Sequence, residues 1–329
     1  MNLKLSAVSR RHGLKLACAA ALVSVLAVPA SADEYPSRTI TFISAFPAGS
    51  GADVLVRHFA NAIQESTGHT IIVDNKPGAA GNIAAEYVAR ADPDGYTIYV
   101  HSGTSTAMNY NLWNNPIIDP RSELKGVAGI NNQPFYIVVG ADSPHETIED
   151  LFDFLREAGE DASFSTTATS GRLLGLQMIE ELGVDPVEIP YGTGAEALPD
   201  IVSLAVDFGV ADPVTASVNA REGRFRILAS GGGERLPVAP DIPALSEFGL
   251  DIDQMGWWGV WVPAGTPDDI VSTINGWFTD VLATETTTSF LERMGGAVWT
   301  ASPAEVDERM VQSVDQAEFL VEMANIPKN

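Results

Sequence analysis

Short apolar runs alternate with amphipathic segments over most of the chain. Thr39–Ala45 is apolar and rich in β-branched residues, and a proline follows it closely, which predicts a buried strand. In the next segment Leu55, Phe59 and Ile63 recur at intervals of four residues, which places them on one face of a helix that Gly68 ends. The pattern therefore predicts a strand that leads through a short joint into a helix opened by Asp53.

The same unit recurs along the sequence. Further strands are predicted in residues 70–73, 96–103, 134–144, 225–232 and 255–267. A helix capped by Thr147 is predicted in residues 147–159, and two amphipathic helices are predicted at the end of the chain. Strands that alternate with helices of about ten residues indicate mainly parallel sheets flanked by helices, which is the α/β class.

The first 32 residues have the composition of an export signal. They contain four bases and no acid, then the apolar run Leu16–Val28 and the small residues Ala30–Ala32, which predicts cleavage near Ala32. Thirteen apolar residues are too few for the roughly 20 that a bilayer core requires. Residues 9–15 also resemble a twin-arginine signal, so the general and the twin-arginine export routes both remain open. We expect a periplasmic protein.

The composition argues against several classes of partner and cofactor. Cleavage removes four bases and no acid, so the net charge of −24 becomes −28, which disfavours nucleic acid and anionic membranes. Cys18, the one cysteine, lies within the signal, so the mature chain has no disulfide. The histidines lack metal-ligand spacing and no phosphate-binding P-loop is present, so we expect no metal and no cofactor.

The joints between strands and helices are candidate binding surfaces. In residues 46–53, "FPAGSGAD", two glycines and Ser50 lie where a strand ends and a helix begins. Such a helix terminus offers unpaired N–H groups and a partial positive charge, which suits a carboxylate or phosphate. A tight turn capped by Asp53 is the alternative. Four further joints of small residues, "KPGAAGN", "HSGTSTAMN", "STTATSGR" and "PYGTGAE", favour a concave anion site.

Two other motifs have competing interpretations. Residues 103–107, "GTSTA", nearly match the nucleophile elbow of hydrolases, but a hydrolase based on Ser105 needs a later histidine, and only His145 follows. Trp257, Trp258 and Trp261 could line a pocket, although strand alternation places Trp258 opposite its companions and at least one of them in the core.

Four long segments resemble the solute receptors of tripartite tricarboxylate transporters, the Bug-type periplasmic binding proteins. They are "YPSRTITFISAFPAGSGADVLVRHFANAI", "VDNKPGAAGNIAAEYVARADPDGYTIYV", "IPYGTGAEALPDIVSLAVDFGVAD" and "LASGGGERLPVAPDIPALSEFG". The resemblance runs from about Tyr35 to the C-terminal helices. It implies a two-lobed clamshell of the type II periplasmic-binding class. We expect residues 33–132 plus 254–329 in lobe 1 and 133–253 in lobe 2, with hinge crossings near 132 and 253.

The resemblance also implies a carboxylate site in the cleft. The first loop matches the family at Phe46, Pro47, Gly49 and Asp53, while Ala48 and Ser50 replace its usual Pro and Gly. In the third joint, "HSGTSTAMN", His101-Ser102 replaces the usual Gly-Thr. The ligand-binding residues that we expect on this basis are Phe46, Ala48, Gly49, Ser50, Gly51, Asp53, Ser102, Thr104, Thr106, Ser165, Thr169, Ser170, Tyr191 and Asp212.

The implied function is that of an extracytoplasmic receptor and not of an enzyme. It binds a small di-, tri- or aromatic carboxylate, closes about its hinge and delivers the ligand to a two-subunit inner-membrane transporter. We expect a monomer. The alternatives that the sequence leaves open are a receptor of an ATP-driven importer, a receptor of a sensory system and a Ser105-dependent hydrolase.

Overall fold

The computed structural model of the protein describes residues 35–167 and 169–328. The chain divides into two compact units, Met1–Ser37 and Arg38–Asn329, and the second holds all of the elements named below. The predicted signal peptide, residues 1–32, lies outside the described residues. Within them, no helix combines the length and apolar character that crossing a membrane requires.

Strands and helices alternate along the second unit. In chain order they are β1 (Ile40–Ser44), α1 (Gly51–Thr67), β2 (Ile71–Asn75), α2 (Asn82–Ala89), β3 (Thr97–Ser102), α3 (Gly103–Asn111), α4 (Pro120–Glu123), β4 (Leu124–Pro134), β5 (Tyr136–Gly140), α5 (Ile148–Ala158), β6 (Ser163–Thr166), α6 (Thr169–Leu182), β7 (Val187–Pro190), α7 (Gly194–Val202), β8 (Phe208–Ala211), α8 (Pro213–Arg221), β9 (Phe225–Ser230), β10 (Met255–Pro263), α9 (Asp268–Leu282), α10 (Glu285–Arg293), β11 (Ala297–Val298) and α11 (Pro303–Met323).

The strands form two sheets, and each sheet with its helices makes one lobe. The first lobe has the strand order β11-β4-β10-β3-β1-β2, and the second has β7-β6-β8-β5-β9. β1 pairs in parallel with β2 and β3, as β6 does with β7 and β8. β10 is antiparallel to β3 and β4, and β5 is antiparallel to β8 and β9.

Both sheets are therefore mixed, whereas the sequence predicted mainly parallel ones. Each parallel pair has at least one helix between its strands in the chain, as a parallel neighbour requires a crossover connection. The antiparallel pairs involve β4, β5 and β10, which lie next to the passages between the sheets. β4 is followed directly by β5 of the second sheet, and β10 re-enters the first sheet between β3 and β4.

The first helix begins two residues earlier than predicted. Ser50 is its N-cap, with extended backbone (φ −69°, ψ 160°) and a hydroxyl that accepts a hydrogen bond from the amide of Asp53. Asp53 therefore lies in the first turn, where its negative charge favours the helix terminus. Gly68 ends the helix as predicted, in the left-handed conformation with φ 77°.

Three helices, and not the predicted two, follow β10. The additional break falls at Ala283, where α9 ends, and Thr284 starts α10 by accepting from the amide of Thr287. Ser302 starts α11 through a capping box with Glu305.

Each sheet has its own aromatic core. In the first lobe the rings of Phe42 and Phe59 lie 5.8 and 5.5 Å from that of Phe278. Trp257 and Trp261 pack in the same lobe with ring centroids 5.5 Å apart and both are fully buried. In the second lobe Phe164 and Phe208 stack at 5.2 Å. The lobes also meet in a smaller apolar cluster, in which Leu173 of α6 packs with Met108, Leu320 and Val321 of the first lobe.

Thr147 should contribute measurably to the stability of the second lobe. It forms a capping box with Asp150 at the start of α5, so Thr147→Ala should lower the free energy of unfolding by about 1 kcal/mol. Urea denaturation measures the change. Thr286→Ala, which alters an exposed helical threonine, is the control and should change stability by less than about 0.5 kcal/mol. Equal effects of the two substitutions would contradict the capping role.

Candidate functional site

A cavity of about 520 Å³ lies between the two lobes. Its walls come from the N-terminal ends of α1, α3, α6 and α8, from the start of β10 and from the C-terminal half of α11. The volume falls within the roughly 300–1,000 Å³ that is usual for small-molecule sites. Four helix N-termini therefore meet at one space. Those of α1, α3 and α6 follow predicted joints, whereas the described lining includes no residue of the joint "PYGTGAE".

The structure brings some of the predicted ligand-binding residues together and places others away from the cavity. Those that border it are Phe46, Gly51, Ser102, Thr104, Ser170 and Asp212. Those that the described lining does not include are Ala48, Gly49, Ser50, Asp53, Thr106, Ser165 and Tyr191. The side chain of Thr169 lies outside the described part of the chain. All of these assignments remain predictions of ligand contact.

At the first joint, two of the expected donors have partners within the loop. The amide of Gly49 donates to Asp53 Oδ2 at 2.8 Å, and the amide of Ser50 donates to the carbonyl of Pro47 at 3.2 Å. The Ser50 hydroxyl in turn accepts from the Asp53 amide at 3.2 Å. Gly49 and Ser50, which the sequence suggested as donors to a ligand, thus use their amides to shape the loop.

Gly51 and Ala52 are the positions that keep their amides available. They are the first two residues of α1, both border the cavity, and no described residue accepts from either amide. The first amides of a helix have no partner within the helix and carry its partial positive charge. This end of the cavity can therefore accept an anionic oxygen through two backbone donors.

The buried Asp53 carboxylate stabilises this loop. It is 1% exposed, and besides the amide of Gly49 it accepts from Arg57 Nε at 2.8 Å and Asn75 Nδ2 at 2.7 Å. Asn75 Nδ2 also donates to the carbonyl of Phe46 at 2.9 Å. Burial by itself raises the pKa of Asp53, but the hydrogen bonds from Arg57, Asn75 and Gly49 outweigh it and lower that pKa to about 2.

The third joint, "HSGTSTAMN", uses its hydroxyls in the same way. Ser102 caps α3 by accepting from the amide of Ser105, and its carbonyl accepts from the Thr106 hydroxyl at 2.9 Å. Thr104 Oγ1 accepts from the amide of Trp257 at 3.2 Å, which ties α3 to β10 at the cavity wall. Thr106 therefore supports the joint from inside the lobe.

His101 is part of an aromatic stack beneath the cavity. It is 1% exposed, and its ring centroid lies 5.0 Å from those of Phe46 and Tyr99 and 5.9 Å from that of Trp258. Burial lowers the pKa of His101 to about 4, so the ring is neutral near pH 7. The stack holds Phe46 and Trp258, both of which border the cavity.

In the second lobe, Asp212 is the predicted residue with the clearest structural role. It is the N-cap of α8, and its Oδ1 accepts from the amides of Val214 and Thr215 at 3.1 and 3.0 Å. By contrast, the Tyr191 hydroxyl donates to Asp200 Oδ2 at 2.6 Å. Ser165 is 1% exposed within β6.

Sequence reasoning did not identify the part of the lining that comes from the C-terminal third of the chain. It consists of Gln254, Met255, Gly256, Trp257, Trp258, Met294, Ser313, Gln316, Ala317 and Leu320. Most of these residues lie in a strand and a helix with no glycine-rich joint, so the pattern that indicated the other walls does not apply. Only the run of tryptophans signalled a pocket.

The geometry around Ser105 does not assemble a catalytic triad among the described residues. Ser105 borders the cavity, but His101 directs Nδ1 at the Ser102 carbonyl and the Thr106 hydroxyl, at 3.0 and 3.1 Å. The ring of His145, which follows Ser105 in the sequence, lies against Phe154 in the second lobe, 4.7 Å between centroids. The described residues also contain no group of three or more His, Cys, Asp and Glu side chains that could hold a metal ion.

Residues 55–326 match the family model described as "Tripartite tricarboxylate transporter family receptor". The chain belongs to this receptor family. A UPF0065 protein of Bordetella bronchiseptica is 33% identical over 341 residues, with 99% of each chain covered. The family consists of solute-binding receptors and not of enzymes, so the interpretation as a Ser105-dependent hydrolase was wrong.

Solved structures share the two-lobed fold. The receptor is similar to "R. palustris Rpa4515 with adipate", with a TM-score of 0.77 and 26% identity over 89% of this chain and 99% of the other. It is also similar to the periplasmic binding protein BugD, with a TM-score of 0.73 and 28% identity over 90% of this chain and 100% of the other. These findings confirm the predicted family and the fold class.

Asp53→Asn should reduce stability in a pH-dependent way. Because the pKa of Asp53 is lower in the folded state than its ordinary value of 3.8, its ionised form stabilises the fold above about pH 4, and this contribution disappears as the pH falls toward 2. The variant should lose about 2 kcal/mol at pH 7 and progressively less below pH 4. Urea denaturation from pH 7 to pH 3 measures both quantities.

Asp185→Asn is the matched control, because this carboxylate is exposed. Its effect should stay below about 0.5 kcal/mol at every pH. A loss for Asp53→Asn that does not change between pH 7 and pH 3 would contradict the role assigned to the ionised carboxylate.

Proposed function

We propose that this protein is an extracytoplasmic receptor that binds a small carboxylate in the cleft between its lobes and delivers it to a tripartite tricarboxylate-type membrane transporter. The observation that carries the proposal is the pair of unpaired amides, Gly51 and Ala52, at the wall of the cavity between the lobes in a chain of this receptor family. The similar R. palustris protein, solved with adipate, supports a carboxylate as ligand.

The chemistry of α1 suits one carboxylate group. Two amides of a helix N-terminus can donate to the two oxygens of a carboxylate, and the helix dipole favours its charge. Each charge-assisted hydrogen bond of this kind contributes about 1.5–3 kcal/mol. Ser102 and Thr104 of the third joint border the same cavity and, as part of this proposal, lie beside the bound group.

We propose that residues 33–132 plus 254–329 form lobe 1 and residues 133–253 form lobe 2, with hinges near 132 and 253. The membership of the strands in the two sheets supports this division. Contacts between the lobes support closure over the ligand. Arg221 donates to the carbonyl of Arg293 at 3.3 Å, and Gln254 donates to Gln177 at 2.7 Å. Ser170 and Asp212 then face the ligand from the second lobe.

The cellular setting of the proposal follows from the N-terminal sequence. The basic and apolar segments before Ala32 direct export and are removed near that residue, which leaves a periplasmic receptor. We propose that it acts as a monomer with a two-subunit inner-membrane transporter. The description of its family as transporter receptors supports this partner.

The direct test is thermal unfolding of residues 33–329 with mono-, di-, tri- and aromatic carboxylates, and with sugars and phosphate esters as controls. A ligand at 100 times its dissociation constant should add about 2.7 kcal/mol of stability. Stabilisation by carboxylates alone supports the proposal, whereas stabilisation by the control compounds alone would refute it.

Gly51→Pro should weaken carboxylate binding by roughly tenfold to a hundredfold, because it removes one charge-assisted donor. The fold should tolerate the change. Gly51 is the first residue of α1, where proline is favoured, and the preceding Ser50 is already extended. Isothermal calorimetry with the carboxylate that stabilises the protein most measures the change in dissociation constant.

Gly51→Ala is the matched control, because it adds a Cβ atom and keeps the amide. The nearest atom to that Cβ is Met294 Cε at 3.9 Å, an ordinary contact. Affinity should therefore change less than about threefold, since no hydrogen bond is lost. If Gly51→Pro and Gly51→Ala bind the carboxylate equally well, the amide of Gly51 is not a ligand donor.

A further inference from the structure

The two lobes meet at the end of α10 through a glycine. Gly295 follows this helix of the first lobe and has a left-handed backbone, with φ 78°. A Cβ atom at this position would lie 2.5 Å from the carbonyl oxygen of Pro213 and 2.7 Å from the hydroxyl oxygen of Ser217, both in α8 of the second lobe. Packed heavy atoms lie roughly 3.5–4.0 Å apart, so the observed contact requires a glycine at position 295.

The contact continues along one face of α8. Pro213, Ser217 and Arg221 are spaced by four residues, so they lie on the same side of the helix. The guanidinium of Arg221 donates to the carbonyl oxygen of Arg293, the last residue of α10, at 3.3 Å. This face of α8 therefore contacts residues 293–295 over about two helical turns.

Each side of the contact is fixed within its own lobe. In the first lobe the amides of Gly295 and Gly296 donate to carbonyl oxygens of α10 at 3.0 and 3.1 Å. The next element, β11, pairs with Asn131 and Asn132 of β4. In the second lobe Asp212 caps the start of α8. The contact thus joins two firmly held elements, which lets it act as a stop between the lobes.

This stop lies beside both the cavity and the passage between the sheets. Met294 and Pro213, one on each side of it, border the cavity. Asn131 and Asn132 lie close to the end of β4, where the chain passes into β5 of the second sheet. In the proposed division the lobes turn about this passage, so a small displacement at the stop becomes a larger one across the cavity.

From these contacts we infer that Gly295 is a positioning residue for closure, because its lack of a side chain lets α8 reach the end of α10 and so sets how far the lobes close. The inference rests on the proposed function, which takes closure over a carboxylate as the binding step. The apparent dissociation constant of such a receptor is its intrinsic value divided by the closed fraction. A side chain at position 295, which the described lining does not include, therefore weakens binding from outside the cavity.

Gly295→Ala in residues 33–329 tests the inference with adipate, malate, citrate and benzoate. For the one that the unmutated protein binds most tightly, calorimetry should show a dissociation constant raised by roughly tenfold or more, because the closed fraction falls. Stopped-flow measurements should place most of this change in the dissociation rate constant. Small-angle X-ray scattering should show that the carboxylate reduces the radius of gyration less than in the unmutated protein.

Gly68→Ala is the matched control. Gly68 also ends a helix of the first lobe with a left-handed backbone, φ 77°, but no heavy atom lies within 4 Å of the added Cβ. The two substitutions impose the same backbone strain, and only one of them meets the second lobe. Gly68→Ala should change the affinity less than about threefold, because closure is unaffected. Equal affinities of the two variants would overturn the inference.

Ser217→Leu approaches the same contact from the second lobe and covers the case that Gly295→Ala does not fold. Leucine is a good helix former and enlarges the side chain that faces Gly295. It should weaken binding as Gly295→Ala does. Ser217→Ala adds no bulk and should bind as the unmutated protein does. If the leucine and alanine variants bind equally well, the inference is wrong.

Two further results separate the inference from the proposed function. Weaker binding by Gly295→Ala together with a full decrease in the radius of gyration would show a local effect and overturn the inference alone. If none of the four carboxylates binds the unmutated protein, the proposed function fails, and the inference fails with it.

Discussion

The amide groups at the start of each helix are the constraint on which this cleft depends. They have no partner within the helix, so a side chain, water or a ligand must satisfy them. In the first lobe the Asp53 carboxylate accepts a hydrogen bond from the amide of Gly49, and the amides of Gly51 and Ala52 remain available at the cavity. In the second lobe the Asp212 side chain accepts hydrogen bonds from the amides of Val214 and Thr215 at the start of α8.

This difference leaves the first lobe with free backbone donors at the cleft. The N-terminus of α1 combines two of these donors with its partial positive charge, while the rest of the lining joins polar and apolar side chains from β10, α10, α11 and the second lobe. In the proposed function the backbone donors of α1 hold one carboxylate, and the side chains around them contact the rest of the ligand.

The strand and helix order of the chain could be predicted because it depends on local signals. Gly68 ended α1 and Thr147 started α5 as expected, since capping depends on a few neighbouring residues. Strand direction was harder. That β10 returns between β3 and β4, antiparallel to both, depends on where the chain leaves and re-enters the first sheet, which no local pattern records.

The sequence by itself determined that small-residue joints follow the strands. These joints, together with the family resemblance, led to the expectation of an anion site in a two-lobed receptor. Only the tertiary structure decided which donors remain free. Ser50 and Gly51 look equivalent in the sequence, but the Ser50 amide donates to the carbonyl of Pro47 and the Gly51 amide does not. The walls formed by β10 and α11 were also beyond sequence reasoning, because residues some 200 positions apart meet at the cleft only when both lobes are folded.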